Sequence, residues 1–215
     1  MKKRDVILAA FGIFLFWQIS ALIVNRNILP SPLVVVPIFF RELLNGNMLS
    51  HALASLWRVV ASMFLSVALA APTGLALGQS KRFNRFFSPV IYLLYPIPKV
   101  VLIPIILLFF GIGDLPKIII IFMILFFQIL VLVRDQAAAL PTELIQSVRS
   151  LGAGRRALFR FVYLPASLPA ILTALRQSVG TAVAVLYITE TFATQRGLGY
   201  YIFLNASTLF DSPTM

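Results

Sequence analysis

Apolar runs long enough to cross a bilayer follow one another through the chain, and they leave few folds open. The first is "VILAAFGIFLFWQISALIV", residues 6–24. At 1.5 Å of rise per residue it approaches the ~30 Å of a hydrocarbon core. "MKKR" precedes it, but the run exceeds the usual signal-peptide core of roughly 7–15 residues and no A-x-A site follows. It therefore reads as an uncleaved span. A second run covers about 52–77 and is rich in small residues, among them Ala61, Ser62, Ser66, Ala70, Gly74 and Gly78. Small faces let helix backbones approach closely in lipid. Between these runs, 25–51 carries prolines and an Asn-Gly pair, which fits a short interfacial helix with loops. "QSKRFNRFF" reads as a loop holding Lys81, Arg82 and Arg85.

The third run, "SPVIYLLYPIPKVVLIPIILLFFGIGD", contains Pro96, Pro98 and Pro104, which remove helical hydrogen bonds. Broken backbone at membrane depth is tolerated only inside protein or beside water, so this element is expected in the interior of a bundle. In the fourth run, Asp114 is expected to cap the helix, Pro116 to sit in its first turn and Arg134 to end it. The fifth run is about 167–188, and no further full span follows. The reading is an all-α, polytopic helical membrane bundle of about five spans, one domain over 1–215.

Only 12% of residues are charged, yet the formal net charge is +11, from 18 Lys+Arg against 7 Asp+Glu. The basic residues stand at the ends of apolar runs, which points to membrane orientation and away from nucleic acid. With the N-terminus in the cytoplasm, eleven lysines and arginines fall inside: Lys2, Lys3, Arg4, Lys81, Arg82, Arg85, Arg134, Arg149, Arg155, Arg156 and Arg160. Four fall outside, namely Arg26, Arg41, Lys117 and Arg196. The chain has no cysteine and one histidine, His51, so no thiolate chemistry and no multi-histidine metal site is built from it. Neither paired carboxylates for hydrolysis nor a G-x-x-x-x-G-K-[ST] phosphate loop occurs, and no cofactor is implied.

One basic, glycine-broken segment interrupts the apolar background: "SVRSLGAGRRALFRFVYLP", within a cytoplasmic stretch of about 137–164. Thr142 is expected to cap a short helix, with Glu143 near its positive end. Leu144, Val148 and Leu151 form one stripe; Gly152 and Gly154 end that helix and turn the chain. A second helix from about Arg155 is expected to turn Leu158, Phe161 and Val162 to the membrane, before Pro165 restarts the chain as the fifth span. Two readings stand side by side. Either this is an amphipathic surface loop, or it is a helix–turn–helix finger that docks in a partner's groove.

"SLGAGRRALFRFVYLPASLPAIL" resembles the cytoplasmic loop of ABC importer permeases, where Glu-Ala-Ala is followed by a glycine and then by an apolar residue and Leu-Pro. Gly152, Val162, Leu164 and Pro165 match that pattern, whereas Gln146, Ser147 and Val148 stand at the Glu-Ala-Ala positions, with Glu143 one turn earlier. "LPSP" at Leu29, "SLWRV" at Ser55, "PIPKVVLIPIILLFFGIGD" at Pro96 and "RGLGYYI" at Arg196 resemble the nitrate/sulfonate/taurine-type branch. The resemblance implies the type I importer permease fold and a subunit that carries a small polar, anionic solute across the bacterial inner membrane. It implies a second permease copy, cytoplasmic ABC ATPase subunits that hydrolyse ATP on another chain, and an extracytoplasmic solute-binding protein. ATPase coupling would fall to Glu143, Val148, Leu151, Gly152, Ala153, Arg155, Leu164 and Pro165. Members of that branch continue into a sixth span, expected to be missing here because "FDSPTM" stands where it would start.

Lys99, Gln128, Arg176 and Glu190 lie within or beside spans, where a charge costs at least ~2.5–3.5 kcal/mol. Each is a candidate for the solute path. The alternatives are snorkelling for Arg176, pairing with free carbonyls for Lys99, and pairing with Arg196 for Glu190. An ion-coupled secondary transporter also uses broken helices. It would more often need intramembrane carboxylates, of which Glu190 is the one candidate, and it gives the Gly152 finger no purpose.

Overall fold

The computed structural model describes residues 3–24, 29–192 and 194–209. Arg26 and the terminal "FDSPTM" lie outside them. All regular structure among the described residues is helical. The helices are α1 (Lys3–Val24), α2 (Pro32–Asn45), α3 (Met48–Gln79), α4 (Lys81–Leu94), α5 (Ile103–Phe110), α6 (Asp114–Ala138), α7 (Thr142–Ser150), α8 (Arg155–Leu158), α9 (Leu164–Thr191) and α10 (Leu198–Phe203). A 3-10 turn, Lys99–Leu102, precedes α5, and wide π turns follow α8 and α10. Among the described residues, four helical segments are long and apolar enough to cross a membrane, or five when α4 and α5 count as one span bent by 72°.

The chain divides into two compact units, Met1–Ser55 with Glu190–Met215, and Leu56–Thr189. In the first, α1 is almost wholly uncovered, as a lipid-facing helix is, and Trp17 Nε1 donates to Pro30 O at 3.1 Å. Helix α2 has Pro32 at its start, where no N–H is missed, and its 14 residues are too few to span.

The second unit is organised by α3 and α6. Ser62, Ser66, Ala70, Gly74 and Gly78 recur every fourth residue along α3 and form one small stripe. Ser62 Oγ donates to Arg58 O at 2.6 Å and comes within 3.4 Å of Ile118 O; Ser66 Oγ repeats this with Ser62 O and Phe122 O. A Cβ on Gly74 would stand 2.8 Å from Leu130 O, and one on Gly78 2.7 Å from Arg134 O. Each of these cross-helix pairs is 56 residues apart, as is the Arg58–Asp114 ion pair. A constant offset means the two helices run parallel. It holds from Arg58 to Gly78, about 30 Å of rise and the depth of a hydrocarbon core. The chain between two parallel spans must return across the membrane, so α4, the 3-10 turn and α5 together make one broken span.

The break falls at Pro96 and Pro98, as the sequence requires, and Pro104 sits in the first turn of α5. Ile91, Ile103 and Ile106 are buried, whereas Leu93, Leu108 and Phe109 are exposed. The element thus turns one face to the interior of the bundle, as expected, and leaves the other uncovered. Helix α9 presents Ser167, Ile171, Ala174, Ser178, Ala182 and Val185 to the core at helical spacing.

Several local expectations are corrected. Residues 81–87 are the first turns of α4, because Ser80 Oγ accepts from Phe83 N and caps the helix. Asp114 caps nothing; its carboxylate is taken by Arg58, which lies on the stripe side of α3. Lys117 lies in the first turn of α6 and is 1% exposed, its Nζ donating to Gly113 O at 2.7 Å. Arg134 is also buried, one turn before α6 ends at Ala138. The structure does not restart at Pro165: residues 155–191 form one helical segment. Leu164 N bonds back to Phe159 O, five residues away, and this wide turn makes room for a ring that lacks an N–H.

Candidate functional site

The finger is built by two short helices and a glycine turn. Pro141, not Thr142, is the residue before α7, and Thr142 Oγ1 donates to Glu143 Oε1 at 3.2 Å. Helix α7 ends at Ser150, and Gly152 takes φ +84°, where a Cβ is penalised. Its N–H donates to Arg149 O at 2.9 Å and closes the turn. Gly154 has ordinary extended backbone and stands before α8, and Leu158 N donates to its carbonyl.

The inward face of the finger is Ile145, Val148 and Ala153, packed against the core of this unit, with Leu158 and Val162 buried behind them. Leu144 and Leu151 point away, and Leu151 is 84% exposed. The expected stripe is therefore divided: Val148 faces the core while Leu144 and Leu151 do not. Phe161 is exposed at 70%, opposite to Val162. Glu143, Arg155, Leu164 and Pro165 are exposed as well. Leu151 is thus an exposed apolar side chain beside a glycine turn, in a stretch that also carries the exposed Arg149, Arg155 and Arg156.

A second feature runs along α9. Thr173, Arg176, Gln177, Gly180, Ala184 and Tyr187 are all exposed and share the helix face that the core does not cover. Polar side chains facing acyl chains are costly, so this face is suited to water or to another protein surface.

Lys99 stands at the proline break. It is 8% exposed, and its Nζ donates to Leu94 O and Tyr95 O, both at 2.7 Å. These carbonyls stand at the end of the broken helix, and Leu94 O also accepts from Ile97 N at 3.3 Å. The ammonium also lies 4.7 Å from the centre of the Phe127 ring. Gln128 is half-buried on α6. Among the described residues no hydrogen bond or ion pair joins Lys99, Gln128 and Arg176 to one another.

In the first unit, Glu190 is 1% exposed and sits in a tight polar nest. Ser55 Oγ is 2.8 and 2.9 Å from its two oxygens, and Gly199 N donates to Oε2 at 2.8 Å. Leu198 N donates to Ser55 Oγ at 2.8 Å, and Gly197 N to His51 Nδ1 at 3.1 Å. Gly197 has φ +129°, and a Cβ there would collide with the Glu190 carboxylate. The "RGLGYYI" segment is thus tied to the start of α3 through one carboxylate. Tyr201 Oη adds a 3.0 Å bond to Glu42. Sequence reading missed Ser55 and His51 as partners, because only the fold brings residues 135 or more positions apart together.

Residues 66–214 match the family described as "Binding-protein-dependent transport system inner membrane component". The chain belongs to this family of transport permeases. The permease is 30% identical over 193 residues to the taurine transport system permease protein of Escherichia coli (strain K12), covering 87% of this chain and 70% of that one. It is 29% identical over 202 residues to the formylaminopyrimidine transport permease protein of Halalkalibacterium halodurans, covering 94% and 80%. In fold it is similar to a chain of the inward-facing MetNI methionine ABC transporter, with TM-score 0.70 and 21% identity, covering 81% of the permease and 87% of that chain. The resemblance read from the opening sequence motifs is thereby established at the level of family and fold. The permease is a multi-pass, inner-membrane transport component.

Proposed function

We propose that the permease takes up ATPase motion through its 142–164 finger and carries a small anionic solute along the uncovered face of α9. Separate cytoplasmic ABC ATPase subunits, a second permease copy and an extracytoplasmic solute-binding protein complete the importer. The observation that carries the coupling reading is Leu151, an 84% exposed leucine held out by the left-handed Gly152 turn. An apolar side chain of this kind gains roughly 1.5–3 kcal/mol when fully buried in a groove. The exposed arginines of the same stretch then favour a partner groove with acidic residues at its rim.

Arg176 supports the anionic solute. It is the charged residue on a face of Thr, Gln, Gly and Tyr at mid-helix, and a guanidinium matches the planar or tetrahedral oxygens of carboxylates, sulfonates and phosphates. The similar taurine permease handles a sulfonate-bearing solute by its name. Glu143 and the divided Val148/Leu151 pair position the finger, and Leu164 and Pro165 join it to α9. The N-terminus lies in the cytoplasm on the lysine and arginine asymmetry.

The test is solute uptake into vesicles holding the permease with its ATPase and binding protein. Uptake that needs internal ATP and persists after ion gradients are collapsed supports the reading. Uptake that follows an ion gradient without ATP overturns it in favour of a secondary transporter.

A further inference from the structure

Three cavities meet at the start of α4. The first, about 330 Å³, is lined wholly by apolar carbon surface, with Leu77, Phe87, Val90 and Leu130 among its walls. It is roughly twice the ~150 Å³ at which an apolar cavity stays dry and takes an aromatic guest. The second is bounded by Arg82, Arg85 and the phenyl rings beside them. The third, about 310 Å³, is lined by Gln79, Ser80, Arg149, Arg155 and Tyr163. Phe83 lines all three, and Ala76 is shared by the first and third. One apolar chamber therefore opens into a basic mouth.

The mouth contains a donor with nothing to donate to. Gln79 Nε2 is buried and has no hydrogen-bond partner among the described residues. A buried donor left unpaired costs about 1–3 kcal/mol, which an oxygen-rich guest removes. The four arginines carry no carboxylate partner in ion-pair range among the described residues. We propose that this groove binds one anionic phospholipid of the surrounding bilayer. Its phosphate sits among Arg82, Arg85, Arg149 and Arg155, its ester oxygens accept from Gln79, and one acyl chain fills the apolar chamber. The match is chemical at both ends: arginine forks with phosphate oxygens, and hydrocarbon with a chamber that has no polar wall. A free phosphate would meet the mouth but leave the chamber empty. A solute small enough for transport would do the same. The lipid site needs only the bilayer and this unit of the fold, and it shares Arg149 and Arg155 with the finger.

The experiment uses the purified permease, exchanged into micelles with defined lipid and analysed by native mass spectrometry. Phosphatidylglycerol is expected to be retained at one per chain, and phosphatidylcholine on the order of tenfold less. Arg82→Gln with Arg85→Gln is expected to erase the headgroup preference. Ala76→Phe, which fills the chamber from its wall, is expected to release both lipids while the thermal transition and secondary structure are kept. Inorganic phosphate at equal concentration is expected not to displace phosphatidylglycerol. Equal retention of the two lipids, or displacement by inorganic phosphate alone, overturns the proposal. So does an unchanged lipid count in Ala76→Phe accompanied by a shift in oligomeric state, which would mark the groove as an interface between permease copies.

Discussion

Arg58 donates to Asp114 through Nε at 2.8 Å and through Nη2 at 2.7 Å, across the same 56-residue offset that sets the rest of the α3–α6 contact. The guanidinium side chain is 4% exposed and the carboxylate 49%. The pair is therefore lopsided: most of the desolvation falls on the arginine.

This lopsidedness predicts unequal mutational costs. Asp114→Ala takes the carboxylate away from a buried guanidinium and is expected to destabilise by about 3 kcal/mol. Arg58→Met leaves a carboxylate that already meets solvent, and the double variant removes the charge and its partner together, so both are expected to cost less. Thermal unfolding in detergent, arranged as a double-mutant cycle, gives the ordering. A single Arg58→Met variant less stable than Asp114→Ala would contradict it.

Close backbone approach predicts a second effect. Gly74→Val and Gly78→Val place methyl groups against Leu130 O and Arg134 O, and overpacking of this kind costs about 1–3 kcal/mol. Gly12→Val is the control, because nothing lies within 4 Å of the Cβ there. The same unfolding measurement is expected to show a lowered Tm for the first two and little change for the third. Equal Tm for all three would remove the glycine stripe from the account.

The Glu190 nest predicts a third. Ser55→Ala leaves the Leu198 N–H without its acceptor and takes one donor from the carboxylate, at a cost of about 1–3 kcal/mol. Gly197→Ala adds a Cβ into the carboxylate at a backbone angle that disfavours it. Both are expected to loosen the 194–200 segment and speed protease cleavage there while distant sites keep their rates. Unchanged cleavage in both variants would show that the nest does not hold the segment.

Where sequence and structure agree, a local signal carries the information. Proline spacing at 96, 98 and 104 locates the break, and the four-residue recurrence of Ser62, Ser66, Gly74 and Gly78 marks a packing face before its partner is known. What was not legible needed a partner far along the chain. Asp114 at a helix start reads as a cap until Arg58 is brought to it. Glu190 reads as a path residue or a partner of Arg196 until Ser55 and Gly199 are brought to it. Leu144, Val148 and Leu151 look like one stripe because the helical period alone does not say where α7 ends. With Leu151 beyond the last turn, its direction is set by Gly152 and not by the helix.

Arg176 on the uncovered α9 face predicts a charge effect on transport. Arg176→Ala is expected to raise the KM for an anionic solute about tenfold, and Arg176→Lys to recover part of that loss by keeping the charge without the fork. Initial uptake rates over a range of solute concentrations separate KM from the maximal rate. A KM unchanged in Arg176→Ala would place the solute elsewhere.

The coupling reading is tested most directly at Gly152. Its φ of +84° costs a residue with a Cβ about 1–2 kcal/mol, and nothing lies within 4 Å to clash, so a substitution there strains the turn without disturbing the core. The measurement is ATP-driven solute uptake together with co-purification of the ATPase, for the parent permease and for Gly152→Val. The account predicts a variant that inserts and folds normally, holds less ATPase and loses uptake in proportion. Normal uptake with the ATPase fully retained would contradict it and leave the finger as a surface loop.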